Sequence, residues 1–211
     1  MRGGFPVRDS SAISALLTET PLFASLSQAD SIDLSQRFHT KQYDKGQVIL
    51  HHEDPGHNFF ILTRGSVKVT RPLSTGAEAV INILYPGEFF GEMALLDGRP
   101  RSASVYALES TEVIVLYRSD FVDFLASHPD AAREIIVVLA DRIRRLNDRI
   151  EDMMARDLPG RLARRLMEWV RKRGQKAPEG IKLHVPMTQS EMAGMVGASR
   201  QRLNGLLGQW Q

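Results

Sequence analysis

Residues 86–105 read PGEFFGEMALLDGRPRSASV and set Gly91-Glu92 and Arg101-Ser102 at the two ends of one short loop. A carboxylate, a guanidinium, a hydroxyl and free backbone amides gathered in one place form either a ligand clasp or a turn with a surface Glu-Arg pair, and the loop alone leaves both readings open. The runs around it point to the fold. From Lys41 to Arg118 the chain is a series of short β-branched and aromatic segments, QVIL, NFFIL, SVKVT, AVINIL, SASVYAL and EVIVLY. Asp54-Pro55-Gly56, Arg64-Gly65, Thr75-Gly76 and Pro86-Gly87 interrupt them. Segments this short and this regularly broken predict an antiparallel roll or barrel. Alternation in SVKVT places Val67 and Val69 on one face and Lys68 and Thr70 on the other.

A chain of 211 residues, 43% apolar and 25% charged, has the composition of a globular protein of one or two domains. No apolar stretch approaches the roughly 18–20 residues of a membrane span, and Met1–Arg8 lacks the apolar region of a secretory signal, so the sequence reads as cytoplasmic with no membrane partner. Zero cysteines exclude disulfides, thiolate zinc sites and cysteine-ligated iron-sulfur clusters, while leaving a His/carboxylate metal site open. HHEDPGH gathers His51, His52, Glu53 and His57 loosely in the manner of a cupin-like metalloenzyme. Adjacent histidines point to opposite faces of a strand, however, and Pro55-Gly56 makes the segment a turn, which favours a solvated loop and no metal. No nucleophile and base constellation suggests an enzyme.

The net charge of +2 conceals an asymmetry. Residues 157–211 hold 10 Lys/Arg against 4 Asp/Glu, a net of +6, and the remainder holds 17 against 21, a net of −4. A basic C-terminal quarter fits a section that meets a polyanion, or a solvated face.

Helical patterns flank the β-rich region. Residues 11–39 read as helical, with Ser27-Gln-Ala-Asp30 as a cap ahead of Ile32, Leu34 and Phe38. Over residues 129–156, Ile136, Ile143 and Ile150 recur every seven residues, and Leu139, Leu146 and Met153 do so three residues out of phase. Ile at a with mostly Leu at d favours two parallel strands, hence a homodimer. A helix packed on its own roll is the alternative, since Ile135, Val138 and Ala140 widen the stripe. Burying these six side chains from each chain is worth on the order of 20 kcal/mol gross, before ordering costs. Asp157-Leu158-Pro159-Gly160 then breaks the helix, with Pro159 and Gly160 as a hinge, and RLARRLMEWVRKRG begins a second, basic helix stopped at Gly174. Gly180–Val185 reads as a short strand.

The segment MTQSEMAGMVGASRQRLNGLLGQW has the outline of a helix-turn-helix. Thr188 and Glu191 form a capping box, Gly197 supplies the turn and Ser199 caps a second helix. Leu203, Leu206 and Leu207 then pack inward while Arg200, Gln201 and Asn204 face out. Arg bonds guanine and Gln or Asn bonds adenine in the major groove, so that face suits double-stranded DNA. An ordinary helical hairpin would show the same apolar pattern. A two-fold dimer needs half-sites about one helical turn apart, which makes a palindromic operator the geometric expectation.

These phrases, GHNFFILTRGSVKV, PGEFFGEMALLDGRPRSASV, the seam helix, DLPGRLARRL and TQSEMAGMVGASRQRLN, occur in this order along nearly the whole chain, which therefore resembles the Crp/Fnr superfamily of bacterial transcription regulators. The resemblance implies an α+β fold. A jelly-roll cyclic-nucleotide-binding domain with its helical lead-in would span residues 1–128, a dimerisation helix 129–156, and a helix-turn-helix DNA-binding domain of winged-helix type 157–211. That last domain would be truncated or incomplete, because the chain ends at Gln211 where the family continues into a β-hairpin wing. In the loop, Gly91 would let a ligand approach closely, Glu92 would accept from a ribose 2′-hydroxyl, Arg101 would grip a cyclic phosphate, and Ser102 and the amide of Ala103 would add donors. Met93, Ile81 and Leu84 would line that end of the pocket, although core packing alone also accounts for Ile81 and Leu84.

By alignment, the residues facing the base are Arg142, Leu146 and Asn147, the last two replacing a threonine and a serine of the cyclic-AMP-binding type. Leucine cannot bond an adenine amino group, whereas Asn147 both donates and accepts. Cyclic AMP leads as the allosteric ligand, with cyclic GMP next and cyclic di-GMP a further candidate. Thr188, Gln189, Ser199, Arg200, Gln201 and Asn204 fall on the DNA side. Gln201 stands where the family type has glutamate and Gly205 where it has a second arginine, which implies an altered operator. Ligand binding would reorient paired heads about Pro159-Gly160, with RNA polymerase contact or occlusion as the outcome. A regulator with another effector, or with none, is the rival.

Overall fold

The computed structural model describes residues 10–23, 26–74, 78–185 and 187–210. The expected Thr75-Gly76 turn lies outside the described residues, as do Met1–Arg8 and Gln211. The chain divides into two units, Met1–Pro72 with Ile81–Asp141 and Leu73–Val80 with Arg142–Gln211.

The first unit opens with helix α1 (Ser10–Glu19), a 3-10 turn (Pro21–Phe23) and helix α2 (Gln28–Arg37). The lead-in is thus helical but interrupted, because Ser27 starts a new helix: its hydroxyl accepts from the Asp30 amide at 3.2 Å and donates to the Asp30 carboxylate at 2.6 Å. Leu34 and Phe38 are buried as that register predicts, whereas Ile32 is exposed. There follow β1 (His39–Tyr43), β2 (Val48–Leu50), β3 (Asn58–Arg64), β4 (Val67–Pro72), β5 (Glu78–Leu84), β6 (Phe89–Phe90), α3 (Glu92–Asp97), β7 (Ser104–Ala107), β8 (Thr111–Tyr117), α4 (Arg118–Ser127) and α5 (Pro129–Ala155).

Two four-stranded sheets result, in the orders β1-β8-β3-β6 and β2-β7-β4-β5. The registered pairs are antiparallel. This is the double-sheet jelly roll expected from the sequence. The central strands β3 and β8 explain the unbroken apolar runs NFFIL and EVIVLY. Phe59, Ile61, Ile114 and Leu116 enter a cluster with Leu17, Phe23, Phe38, Phe121 and Ile135, while Phe60, Leu62, Val113 and Val115 enter the interior of the roll with Val67, Phe90 and Val105. A period of two with both faces covered leaves no position for a polar residue. Thr70, expected to face outward, is fully buried, and its hydroxyl has no hydrogen-bond partner. The register of β4 against β7 runs unbroken from Val67 to Thr70, and Val67 and Val69 both pack on the interior of the roll as alternation predicts, so Thr70 is buried on the opposite face.

Helix α5 matches the expected 129–156 closely. Within the first unit Ile135 is buried, and Val138 and Leu139 pack against the same cluster. Leu139 therefore serves its own roll, as the alternative reading of the stripe allowed. The rest of the stripe is open: Ile136, Ile143, Leu146, Ile150 and Met153 are 66%, 58%, 45%, 57% and 58% exposed.

In the second unit, α6 (Leu158–Arg173) is followed by the hairpin β9 (Gln175–Ala177) and β10 (Gly180–Lys182), then α7 (Gln189–Met195) and α8 (Arg200–Gln209). The break between α5 and α6 falls at Arg156-Asp157. Pro159 and Gly160, expected to form a hinge, already lie in the first turn of α6, where the missing amide of proline is harmless and the Gly160 amide donates to the Asp157 carboxylate at 3.0 Å. Leu162, Ala193, Val196, Leu203 and Leu206 form the core of this unit. Among the described residues no helix is long and apolar enough to cross a membrane.

Candidate ligand clasp and nucleic-acid interface

The stretch read from sequence as a loop is instead a short strand, β6, and a helix, α3, whose N-cap is Gly91 at φ 83°. That left-handed turn drops Glu92 into the protein, where it is 2% exposed. Arg101 returns to the same place and is 5% exposed. Its Nη1 donates to the Gly91 carbonyl at 2.7 Å and its Nη2 to the Asn58 carbonyl at 2.8 Å, at the start of β3. Its guanidinium carbon lies 5.9 Å from the centre of the Phe60 ring. The Arg101 backbone is fixed as well: its amide donates to the Asp54 carbonyl at 2.8 Å and its carbonyl accepts from the Glu53 amide at 2.9 Å. Burial pulls the guanidinium below its ordinary pKa, while Glu92 and then Asp54 oppose that shift.

One of the three guanidinium nitrogens makes no hydrogen bond to the described residues. Among the described residues Arg101 Nε is buried and has no hydrogen-bond partner, and the Asn58 side-chain oxygen shares that condition. Ser102 is exposed, its hydroxyl donating to the Met93 sulfur at 3.5 Å, and Ala103 and Ile81 are half-buried. Leu84, expected at the pocket, is a core residue of the roll, 3% exposed. Arg142, Leu146 and Asn147 stand on the part of α5 that belongs to the second unit, with Arg142 half-buried and the other two exposed.

Sequence reading missed Asn58 and Gly56. The first acts through a backbone carbonyl, which no side chain advertises. Gly56 is a close-packing position: a Cβ there would collide with Ala94 and lie 3.3 Å from Arg101 Cζ. At Gly91 a Cβ would stand 2.9 Å from Arg101 Nη1 and 3.0 Å from the Asn58 carbonyl oxygen. Gly91→Ala is therefore expected to destabilise the roll by about 1–3 kcal/mol, from the positive φ and the crowding together, and to weaken ligand binding in the same protein. Thermal unfolding paired with calorimetry checks this; an unchanged melting temperature would contradict it.

The C-terminal unit forms the capped pair of helices that the sequence implied. Thr188 and Glu191 make the reciprocal capping box, the Thr188 hydroxyl accepting at 3.2 Å and the Glu191 carboxylate at 2.8 Å. Gly197, at φ 68°, turns the chain between the helices. Ser199 caps α8 by accepting from the Arg202 amide at 3.3 Å. Leu203 and Leu206 are buried, Leu207 packs against them, and Thr188, Gln189, Ser199, Arg200, Gln201 and Asn204 are all exposed. His52 lies 3.9 Å from Glu53, and among the described residues no group of three or more His, Cys, Asp or Glu could hold a metal ion.

Comparison with known proteins covers both regions. The Cyclic nucleotide-binding domain family matches residues 40–128, and the Crp-like helix-turn-helix domain family matches residues 160–211. The chain is 30% identical over 189 residues to the Cyclic AMP receptor protein of Thermus thermophilus, covering 89% of this chain and 84% of that one. It is 27% identical over 192 residues to the CRP-like cAMP-activated global transcriptional regulator of Mycobacterium tuberculosis, covering 91% and 86%. The crystal structure of Thermus thermophilus Catabolite Activator Protein superposes with a TM-score of 0.58 at 28% identity, over 90% of this chain and 85% of that one. A jelly roll with a buried glycine-arginine clasp, joined in one chain to a capped helix-turn-helix and matched along most of its length by these regulators, belongs to the Crp/Fnr family of DNA-binding transcriptional regulators with a cyclic-nucleotide-binding domain.

Proposed function

We propose that the chain is a transcriptional regulator gated by a cyclic nucleotide, whose phosphate is gripped by Arg101. The observation that carries this reading is the third guanidinium nitrogen. Nη1 and Nη2 are held by two carbonyls, so Nε is oriented, buried and without an acceptor, the condition that a phosphate oxygen relieves. Glu92 takes the ribose hydroxyl, and Ser102 with the Ala103 amide adds donors. Cyclic AMP stands first because the two regulators compared above are named for it, with cyclic GMP and cyclic di-GMP after it. The base end falls to Arg142, Leu146 and Asn147.

The active species is a cytoplasmic homodimer joined along the exposed α5 stripe. Its paired heads read a palindromic operator through Arg200, Gln201 and Asn204, with Thr188, Gln189 and Ser199 beside them. The effector acts by binding one arrangement of the heads better than the other. Contact with RNA polymerase gives activation and occlusion gives repression.

Calorimetric titration with the three nucleotides, followed by gel-shift on a palindrome library at stated salt, tests the reading. Binding of one nucleotide with a matching gain in operator affinity supports it. A second reading, effector-independent DNA binding, is favoured by one fact: two main-chain carbonyls tether Arg101, so groups of the protein itself fix its position. Operator binding with no detectable affinity for any of the three nucleotides would put that reading first.

A further inference from the structure

The elbow between α5 and α6 is bonded shut. Arg161 donates Nη1 to the Arg156 carbonyl, just past the end of α5, at 2.7 Å, and Nε to the Val196 carbonyl, the C-cap of α7, at 2.8 Å. Carbonyls at helix ends lack partners in their own helix, and one planar guanidinium satisfies two of them in different helices. On the same helix α6, Arg164 reaches Asp152 at 2.9 Å and Asp148 at 3.8 Å, while Asp152 also takes Arg156 at 2.8 Å. The Met153 methyl lies 3.1 Å from where a Cβ on Gly197 would stand, at the turn of the helix-turn-helix. Pro159 and Gly160 are helical residues behind an Asp157 cap. Nothing in this geometry describes a free swivel.

We propose that Arg161 is a positioning residue that locks the reading head to the seam helix. With Arg164-Asp152 and Met153-Gly197 it joins the last two turns of α5, from Asp148 on, the first turn of α6 and the helix-turn-helix turn into one rigid block. Head movement is then movement of the C-terminal half of α5, and Pro159-Gly160 does not act as the pivot. The proposal rests on the reading above only for the existence of an effector-driven movement.

The absence of cysteine makes the test clean, because introduced thiols are unique. Spin labels are placed through Glu151→Cys on α5 and Ser190→Cys on α7, both exposed positions. The doubly labelled full-length chain is diluted with unlabelled chain, so that each measured pair lies within one protomer. A single narrow distance distribution is expected, the same with and without cyclic AMP. It should broaden in Arg161→Ala, narrow again in part in Arg161→Lys, which can reach one carbonyl, and broaden less in Met153→Ala. Operator affinity should fall about tenfold in Arg161→Ala while cyclic AMP affinity is retained.

A wild-type distribution that is already broad, one that shifts when cyclic AMP binds, or one left narrow by Arg161→Ala in a folded protein overturns the block. Circular dichroism establishes folding, and if Arg161→Ala is unfolded, Arg161→Lys and Met153→Ala carry the comparison. Failure of cyclic AMP to bind would overturn only the choice of cyclic AMP as effector and leave the block standing, since the broadening is measured without ligand.

Discussion

Arg101→Ala is expected to lower cyclic-nucleotide affinity by roughly 10²–10⁴. The variant loses a charge-assisted bond to phosphate, worth about 1.5–3 kcal/mol, and releases the Gly91 and Asn58 carbonyls that shape the clasp, a further loss of about 1–3 kcal/mol. The variant should be less stable than wild type yet still folded, because removing a desolvated cation offsets only part of what the two bared carbonyls and the buried Glu92 carboxylate lose. Arg101→Lys separates charge from geometry: it keeps a cation but lacks the planar fork that spans the two carbonyls while aiming a separate nitrogen at the ligand, so its affinity should fall between those of wild type and alanine. Calorimetry gives the affinities and thermal unfolding the stability. A folded Arg101→Ala protein with wild-type affinity would remove this clasp from consideration.

The second large effect is expected at the seam. Ile143 is 58% exposed on the single chain, in register with Ile136 and Ile150. Replacing it by aspartate in both protomers forfeits about 2 kcal/mol of apolar burial on each side and places two carboxylates in an apolar seam. The loss of about 4 kcal/mol from the isoleucines alone corresponds to roughly a thousandfold weaker dimer. Sedimentation is expected to show a dimer for the wild type and a monomer for the variant, whose affinity for a palindrome should fall to that of a single half-site. Leu139→Asp should behave differently, destabilising the roll, because Leu139 packs on its own core. A wild-type chain that sediments as a monomer at micromolar concentration would rule out the seam.

The fold was legible where burial is periodic. Helix α5 announces itself through Ile at sevenfold spacing, and β3 and β8 through runs that must be covered on both faces. Strand β1 was not visible, because HTKQY is mostly exposed and its pairing with β8 is made by the backbone. Strand β6, Phe89–Phe90, is too short to show any period. Thr70 misled because a hydroxyl in an alternating strand ordinarily faces solvent, and here that side chain is fully buried. At the clasp, Gly91, Glu92 and Arg101 were legible as chemistry that needs a purpose. Asn58 was not, since it acts through its main chain, and Gly56 was legible only as a turn. Pro159-Gly160 shows the reverse error: residues that end one helix in a sequence pattern can equally begin the next, and the Asp157 cap decides which.

Arg101 bonds to a carbonyl 43 residues away, so the clasp comes into being only after β3, α3 and the returning chain have docked. An unfolded chain cannot present it. Any molecule that fits the clasp must therefore raise the melting temperature of the roll by mass action, about 2.7 kcal/mol at a concentration a hundred times its Kd. The effector can thus be sought with neither DNA nor a known target gene, by heating the protein against a panel of small anions and watching which one delays unfolding.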